Sequence, residues 1–202
     1  MSKEKTLRVA VLLSGSGRTL ENFLRQIDAG LLPAQIVAVA SNRDDVRGID
    51  IAAKAGLAHA SFRRADFESR VARDRAMFAW LGEFQPDLFC LAGYLALLDL
   101  AGSGGRPVLN IHPALLPKYG GKGFYGDHVH RAVLESGDST SGATVHLVDV
   151  AYDRGPILAQ TEVAVEAGDD VRRLADRVFA AECELYPRVL RQIAEGTLRL
   201  GA

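Results

Sequence analysis

Two polar side chains stand one residue apart at the end of an apolar run in VLNIHPALLP, residues 108–117. The alternation of a β-strand would place Asn110 and His112 on the same face. An amide N–H and an imidazolium N–H aimed at one oxygen would stabilise the oxyanion of a tetrahedral intermediate. Asn110 could instead cap a turn, and a lone histidine is more often structural, so this pair alone leaves both interpretations open.

A carboxylate near His112 would favour the catalytic interpretation, and DVAYDRGPI, residues 149–157, offers two. Asp153, followed by Arg-Gly-Pro, predicts a tight loop that can return to the same cleft. There its charge would raise the pKa of His112. Asp149 competes for this role by its place in the same segment.

A second candidate site is SGSGRTL, residues 14–20. Its two glycines allow a tight turn into a helix that begins near Thr19, where free backbone N–H groups favour an anion, typically phosphate. Arg18 also favours phosphate. Leu20 replaces the third glycine of a dinucleotide fingerprint, and no Gly-Lys-Ser/Thr follows. An ordinary glycine turn explains the motif equally well.

The elements that must position these residues alternate between β-rich apolar runs and longer amphipathic stretches. Strands are predicted at 7–13, 35–41, 59–62, 87–93 and 107–112, with 144–150 and 157–165 as an antiparallel pair at the sheet edge. Helices are predicted at 19–29, 46–55, 66–84, 127–136 and 169–195. We therefore expect an α/β fold, a single-domain doubly wound, mostly parallel sheet with an antiparallel C-terminal strand pair, spanning 1–202.

Doubly wound sheets bind ligands at the carboxyl ends of their strands. Asn110 and His112 end a predicted strand, and LAGYLALL, which begins at Leu91, follows another. That apolar segment could receive a flat heterocycle, although core packing is the commoner explanation. PKYGGKGFYGD, residues 117–127, has four glycines in eleven residues and predicts a mobile loop.

Composition excludes some classes of protein. Twenty-four basic and 25 acidic residues give a net charge of −1, which does not favour nucleic acid or an anionic membrane as a partner. A hydrophobic fraction of 48% with a mean hydropathy of +0.05 suits one sizeable core. Cys90 and Cys183 lie far apart, and the apolar run around Cys90 predicts a buried, reduced thiol. The first apolar run is too short for a signal peptide or membrane span, so we expect a soluble cytoplasmic protein.

The remaining histidines give no sign of a metal site. His128 and His130 are expected to be a solvated pair at a helix start, because no third ligand stands at a suitable spacing. His59 and His146 are assigned to structure.

Four segments, LLSGSGRTL, LNIHPALLPKYGG, SGATVHLVD and DRGPILAQ, together resemble the motifs of the phosphoribosylglycinamide formyltransferase family. The resemblance runs from about residue 7 to about residue 198. It implies that a formyl group passes from 10-formyltetrahydrofolate to the amine of glycinamide ribonucleotide in purine biosynthesis. It also implies small-molecule substrates, no metal, and a monomer or homodimer.

The resemblance assigns roles residue by residue. Its catalytic positions are Asn110, His112 and Asp153. Its ribonucleotide-binding positions are Gly17, Arg18, Thr19 and Glu182. Its folate-binding positions are Arg70, Tyr94, Leu95, Ala96, Leu97, Leu98, Asn110, Val148 and Asp149. Thr19 stands where the family commonly has asparagine, Ala96 where it frequently has arginine, and the glycine-rich loop is several residues longer than its short form.

The implied reaction needs no covalent enzyme nucleophile, because a primary amine can attack a formamide-type carbonyl directly. Three alternatives share parts of the pattern. Methionyl-tRNA formyltransferase and formyltetrahydrofolate hydrolase share the Asn-x-His-Pro and Asp core, but each normally carries an additional domain for which we expect no room in this chain. A non-catalytic nucleotide-binding module would explain only residues 14–20.

Overall fold

The computed structural model describes residues 6–200. Seven strands are present in this range: β1 (Leu7–Leu13), β2 (Ala34–Ser41), β3 (His59–Ser61), β4 (Leu88–Leu91), β5 (Val108–His112), β6 (Thr140–Leu147) and β7 (Ile157–Ala164). Five α-helices accompany them: α1 (Arg18–Asp28), α2 (Arg47–Lys54), α3 (Arg70–Glu83), α4 (Asp127–Ser136) and α5 (Val171–Ala194). Within the described range no helix is long and apolar enough to cross a membrane.

The strands form one sheet in the order β3-β2-β1-β4-β5-β6-β7. β1 pairs in parallel with both β2 and β4, and β2 pairs in parallel with β3. β6 and β7 are antiparallel. The predicted α/β sheet, mostly parallel with an antiparallel C-terminal pair, is confirmed. Its direction of winding reverses between β1 and β4, which is where doubly wound sheets open a binding crevice.

Contacts divide the chain into two compact units. One consists of the described parts of Met1–Leu109 and Leu190–Ala202, and the other is Asn110–Val189. The first contains β1 to β4 with α1 to α3, and the second contains β6, β7 and α4. The expectation that 1–202 is a single domain stays a prediction.

The core of the first unit forms around β1, in which every residue from Val9 to Leu13 is fully buried. Such a continuous apolar run is typical of a parallel strand that is covered on both faces. Phe78 of α3 and Phe89 of β4 pack edge to face, with ring centroids 5.0 Å apart. Cys90 is fully buried beside Phe89, as the sequence predicts.

Most predicted boundaries agree with the structure to within two residues, but the starts of α3 and β6 were each wrong by four. α3 begins at Arg70 rather than at residue 66, because the Ser69 hydroxyl accepts the Ala72 N–H at 3.0 Å and caps the helix there. β6 runs from Thr140 to Leu147 rather than over 144–150. The residues that follow β6 therefore belong to the loop that carries Asp153.

Substitution of Gly142 would test how closely β6 and β7 must approach each other. A Cβ at Gly142 would lie 2.2 Å from the Thr161 carbonyl oxygen, so we expect Gly142→Ala to lower the free energy of unfolding by about 1–3 kcal/mol. Gly82 in α3 has nothing within 4 Å of an added Cβ, and Gly82→Ala should be neutral or stabilise by up to about 1 kcal/mol. Urea unfolding of both variants checks this; equal changes in stability would contradict it.

Candidate functional site

The carboxylate of Asp153 lies between two imidazoles. Its Oδ2 is 3.6 Å from His112 Nδ1, and its Oδ1 is 3.6 Å from His146 Nε2. The same His146 nitrogen is 3.1 Å from Asn110 Nδ2. The structure thus brings the three predicted residues Asn110, His112 and Asp153 together, and adds His146 to them.

The loop between β6 and β7 sets the position of Asp153. The Leu147 N–H donates to the Pro156 carbonyl at 2.9 Å and closes the loop. Gly155 is required at this closure, because an added Cβ would lie 1.8 Å from the Leu147 carbonyl oxygen. Asp153 itself has a left-handed φ of 54°, and its Oδ2 accepts the Gly121 N–H at 2.9 Å.

Asp149, the alternative carboxylate, bonds to the backbone of its own loop instead of facing His112. Its Oδ1 accepts the Ala151 N–H at 2.8 Å and turns the chain at the start of the loop. Asp149 and Val148 are half-buried, while the neighbouring Val150 is 86% exposed. The geometry therefore makes Asp153, and not Asp149, the neighbour of His112.

One ring nitrogen of His112 makes a hydrogen bond, and the other faces Asp153. The side chain of His112 is buried at the end of β5, and its Nε2 is 2.8 Å from the Tyr119 carbonyl oxygen. A carbonyl oxygen only accepts, so Nε2 donates a hydrogen to it. In a neutral ring Nδ1, the nitrogen beside Asp153, is then the one with the lone pair.

The pKa of His112 is lowered overall, although the charge of Asp153 raises it as predicted. Burial has the largest effect and lowers the pKa; the charge of Asp153 and the hydrogen bond to Tyr119 offset only part of this. Burial would raise the pKa of Asp153, but His146, His112 and the Gly121 N–H together lower it. Near neutral pH the resting site therefore pairs a neutral imidazole with a carboxylate.

Hydrogen bonds from the neighbouring strands fix the chain just after His112. The Thr144 hydroxyl of β6 donates to the Ala114 carbonyl at 2.6 Å and accepts the Leu116 N–H at 3.1 Å. Gln160 of β7 donates from Nε2 to the Leu116 carbonyl at 3.0 Å and to the Thr144 hydroxyl at 2.9 Å. Side chains of β6 and β7 thus hold the backbone of the segment that leads away from His112.

A cavity of about 470 Å³ opens beside Asp153 within Asn110–Val189. Its walls include Leu116 and Ile157 as apolar residues and the backbone of Gly120. Its volume lies within the roughly 300–1,000 Å³ of small-molecule sites. Asp153 therefore borders a space that a substrate can occupy.

In the first unit, the predicted anion-binding turn stands where β1 leads into α1. Gly17 has a φ of 71°, and an added Cβ would lie 2.6 Å from Gly48 Cα. The Gly48 N–H donates to the Gly15 carbonyl at 3.0 Å. No side chain caps α1, whose first residues are the exposed Arg18 and the half-buried Thr19. The uncapped first turn suits an anion.

Arg47, at the start of α2, also contacts this turn. Its guanidinium donates to the Ser16 carbonyl at 3.0 Å and to both carboxylate oxygens of Glu21 at 2.8 and 2.9 Å. Sequence reasoning missed Arg47, because nothing in its spacing relates it to residues 14–20.

The predicted folate segment lies next to the same turn. The buried Ser14 donates its N–H to the Gly93 carbonyl at 3.1 Å and accepts the Leu95 N–H on its hydroxyl at 3.0 Å. Ser14 therefore connects the ends of β1 and β4, where the sheet order reverses. A role for Ser14 was not predicted from the sequence.

α3 supports the folate segment from the other side. Arg70 Nη1 is 3.4 Å from the Leu97 carbonyl oxygen, which brings these two predicted residues together. Asp74 forms a buried ion pair with Arg73 and accepts the Asp99 N–H at 2.8 Å. Two arginines and one buried carboxylate thus fix the backbone of the segment.

The side chains of the predicted folate segment differ in exposure. Tyr94 and Leu98 are buried, Ala96 is half-buried and Leu95 is 53% exposed. Burial raises the pKa of Tyr94, so its hydroxyl stays neutral at physiological pH. Glu182, the predicted ribonucleotide contact on α5, is half-buried within the second unit.

Two histidines differ from expectation. His146, assigned to structure, contacts both Asn110 and Asp153. His146 stands two residues after Thr144 on β6, as His112 stands two residues after Asn110 on β5. This alternation could have placed His146 among the candidate site residues. His130, expected to be solvated, is buried on α4 with no hydrogen-bond partner at Nδ1, whereas His128 is exposed.

A doubly wound sheet with a buried carboxylate–imidazole cluster is an architecture of enzymes that act on small molecules. Residues 7–190 match the family model described as formyl transferase, and the chain belongs to that family. Within residues 6–200 no three His, Cys, Asp or Glu side chains form a group that could hold a metal ion.

Three relatives extend the comparison. The phosphoribosylglycinamide formyltransferase of Escherichia coli is 36% identical over 96% of this chain and 90% of its own length. The trifunctional purine biosynthetic protein adenosine-3 of Bos taurus is 38% identical over 98% of this chain, which spans only 19% of that protein. The crystal structure of the Brucella melitensis phosphoribosylglycinamide formyltransferase superposes with a TM-score of 0.84 at 43% identity, covering 98% of this chain and all of that one.

The balance of effects on His112 can be measured directly. Because burial lowers its pKa and Asp153 opposes this, we expect the imidazole of His112 to titrate below its usual range, and lower still in Asp153→Asn. A histidine NMR titration of the ligand-free protein checks both statements. In Asp149→Asn, which removes a carboxylate bonded to Ala151, the pKa of His112 should stay within about 0.3 units. A raised pKa in the wild-type protein would contradict the assignment.

Proposed function

We propose that this chain transfers the formyl group of 10-formyltetrahydrofolate to the amine of glycinamide ribonucleotide, as a phosphoribosylglycinamide formyltransferase. The observation that carries the proposal is the cluster of Asn110, His112, His146 and Asp153 in a member of the formyl transferase family. The name of the Escherichia coli relative supports the choice of acceptor, since this chain covers 90% of that protein.

The substrates are assigned to the segments that the resemblance indicates. The phosphate binds at Gly17, Arg18 and Thr19, supported by the uncapped first turn of α1, and Glu182 contacts the same substrate. The folate binds along residues 94–98, with Arg70, Asn110, Val148 and Asp149 as further contacts. The exposed Leu95 supports a flat apolar ligand there.

The reaction begins with attack of the substrate amine on the formyl carbon. The carbonyl π electrons move to oxygen, and the resulting oxyanion accepts hydrogen bonds from Asn110 Nδ2 and His112 Nδ1–H. The amine gives up one proton to the His112 and Asp153 pair, so the imidazole is charged when the oxyanion forms. As the oxyanion collapses, the bond from carbon to the folate nitrogen breaks and that nitrogen receives the proton.

A resting His112 with a lowered pKa suits this sequence of steps. A neutral imidazole can take up the proton of the amine, and Asp153 then stabilises the imidazolium. His146 binds Asn110 Nδ2 through one hydrogen, and that nitrogen carries a second hydrogen for the oxyanion. No step requires a covalent bond between enzyme and substrate.

The direct test is deformylation of 10-formyltetrahydrofolate with and without glycinamide ribonucleotide. Release of tetrahydrofolate only when the ribonucleotide is present, with formylated ribonucleotide as product, is the expected result. Release without the ribonucleotide would favour a hydrolase, and no release in either case would favour a non-catalytic nucleotide-binding module.

Arg18 tests the phosphate assignment. Removing a charge-assisted hydrogen bond typically costs about 1.5–3 kcal/mol, so Arg18→Ala should raise the ribonucleotide KM about tenfold or more and leave the folate KM within about twofold. Arg25→Ala, at the other end of α1, is the matched control and should change neither constant. Equal increases of both constants in Arg18→Ala would remove this assignment.

Asp153 tests the chemistry. Asp153→Asn keeps the size of the side chain but loses its charge, so kcat should fall about a hundredfold or more while both substrates still bind by calorimetry. Asp149→Asn changes the same charge in the same loop, and its effect should be on the folate KM rather than on kcat. A near wild-type kcat for Asp153→Asn would show that the carboxylate assignment is wrong.

Two further expectations stay predictions. Residues 120–127 are expected to become ordered when folate binds, because their glycine density leaves little to fix the backbone. Protection of this loop from proteolysis by folate would agree. A monomer or homodimer is expected in solution.

A further inference from the structure

Tyr119 contacts the candidate active site through its backbone and not through its ring. Its carbonyl oxygen accepts from His112 Nε2 at 2.8 Å. Its φ of 56° lies in the left-handed region, which a tyrosine rarely adopts unless its surroundings impose it. Something must therefore hold this residue in place.

The phenol of Tyr119 supplies that restraint. Its hydroxyl is 2.6 Å from Asp138 Oδ2 and 2.5 Å from the Ser136 hydroxyl. Lys118 forms an ion pair with the same Asp138 carboxylate. The Ser136 hydroxyl in turn donates to the Val133 carbonyl at 2.8 Å. Asp138, two residues before β6, and Ser136 at the end of α4 thus anchor Tyr119.

The contact matters because a neutral imidazole has only one N–H. With that hydrogen on Nε2 of His112, donated to the Tyr119 carbonyl, Nδ1 keeps its lone pair. Nδ1 and Asp153 Oδ2 are 3.6 Å apart, longer than a hydrogen bond, so the lone pair of Nδ1 is free to meet a reacting group. In the other tautomer Nδ1–H would turn to the carboxylate, and the lone pair would be lost to the reaction.

We propose that Tyr119 and Asp138 are positioning residues that select the Nε2–H tautomer of His112 and so make Nδ1 the nitrogen that exchanges the proton. Asp138 acts through the phenol, the phenol fixes the backbone, and the carbonyl fixes the tautomer. The consequence for turnover rests on the proposed formyl transfer, whereas the tautomer itself does not.

The first experiment therefore needs no substrate. The chain has five histidines, and ¹⁵N-labelled imidazoles report which nitrogen carries the hydrogen at about pH 8, above the usual histidine pKa. The wild-type protein should show His112 as the Nε2–H tautomer. Tyr119→Phe and Asp138→Asn should each show a mixture of tautomers. An unchanged Nε2–H signal in both variants would overturn the proposal, whatever reaction the enzyme catalyses.

The second experiment measures turnover. Each variant should lower kcat about tenfold, with both KM values within about twofold, since neither side chain contacts substrate. The double variant should resemble either single variant, because both changes break the same chain of contacts. Additive losses, or KM changes without a kcat change, would overturn the proposal.

A matched control separates this effect from the loss of a surface ion pair. Asp66 accepts two hydrogen bonds from Arg63 at 2.8 Å each and lies in the first unit. Asp66→Asn should leave kcat and the His112 tautomer unchanged. Thermal unfolding of all variants confirms that they are folded, and an equal loss of kcat in Asp66→Asn would contradict a specific role for Asp138.

Discussion

The interaction on which the second unit depends is the placement of one carboxylate between two imidazoles. Burying an unpaired charge costs several kcal/mol or more, so Asp153 needs partners that arrive together. The Gly121 N–H donates to its Oδ2, and His146 and His112, which also lower its pKa, lie 3.6 Å from Oδ1 and Oδ2. The loop after β6, the end of β5 and the glycine-rich segment must all be in place before that charge becomes tolerable.

Backbone contacts do much of this positioning, which leaves side chains available for chemistry. The Tyr119 carbonyl orients one imidazole and the Leu147 carbonyl the other, at 2.8 Å from His146 Nδ1. In the first unit the hydroxyl of Ser14 connects the chain after β1 with the chain after β4. In both places the positioning atoms lie at or just after the ends of strands. The sheet therefore holds the site residues in fixed positions.

Much of the fold follows from the sequence because its strongest signals are local. Continuous apolar runs identified the central strands, and the boundaries of β1 were predicted to the residue. The start of α3 was missed because it depends on a single side chain, the Ser69 hydroxyl, and the Asp149 turn lies where β6 was expected to continue. Spacing and resemblance also led to Asn110 and His112. Neither could show that burial outweighs the carboxylate in the pKa of His112, because burial is a property of the folded chain.

The contact of Gly155 with the Leu147 carbonyl gives the loop after β6 a fixed length. The chain must return to Leu147 at the one residue that has no Cβ, so an insertion or deletion between these two points would move that residue out of the closure. The loop is thus a spacer whose residue count, more than its composition, determines where the carboxylate stands. A loop exchanged between related chains should therefore keep the same number of residues. The side chains of Val150 and Arg154 are exposed, so these two positions can be substituted without disturbing the closure.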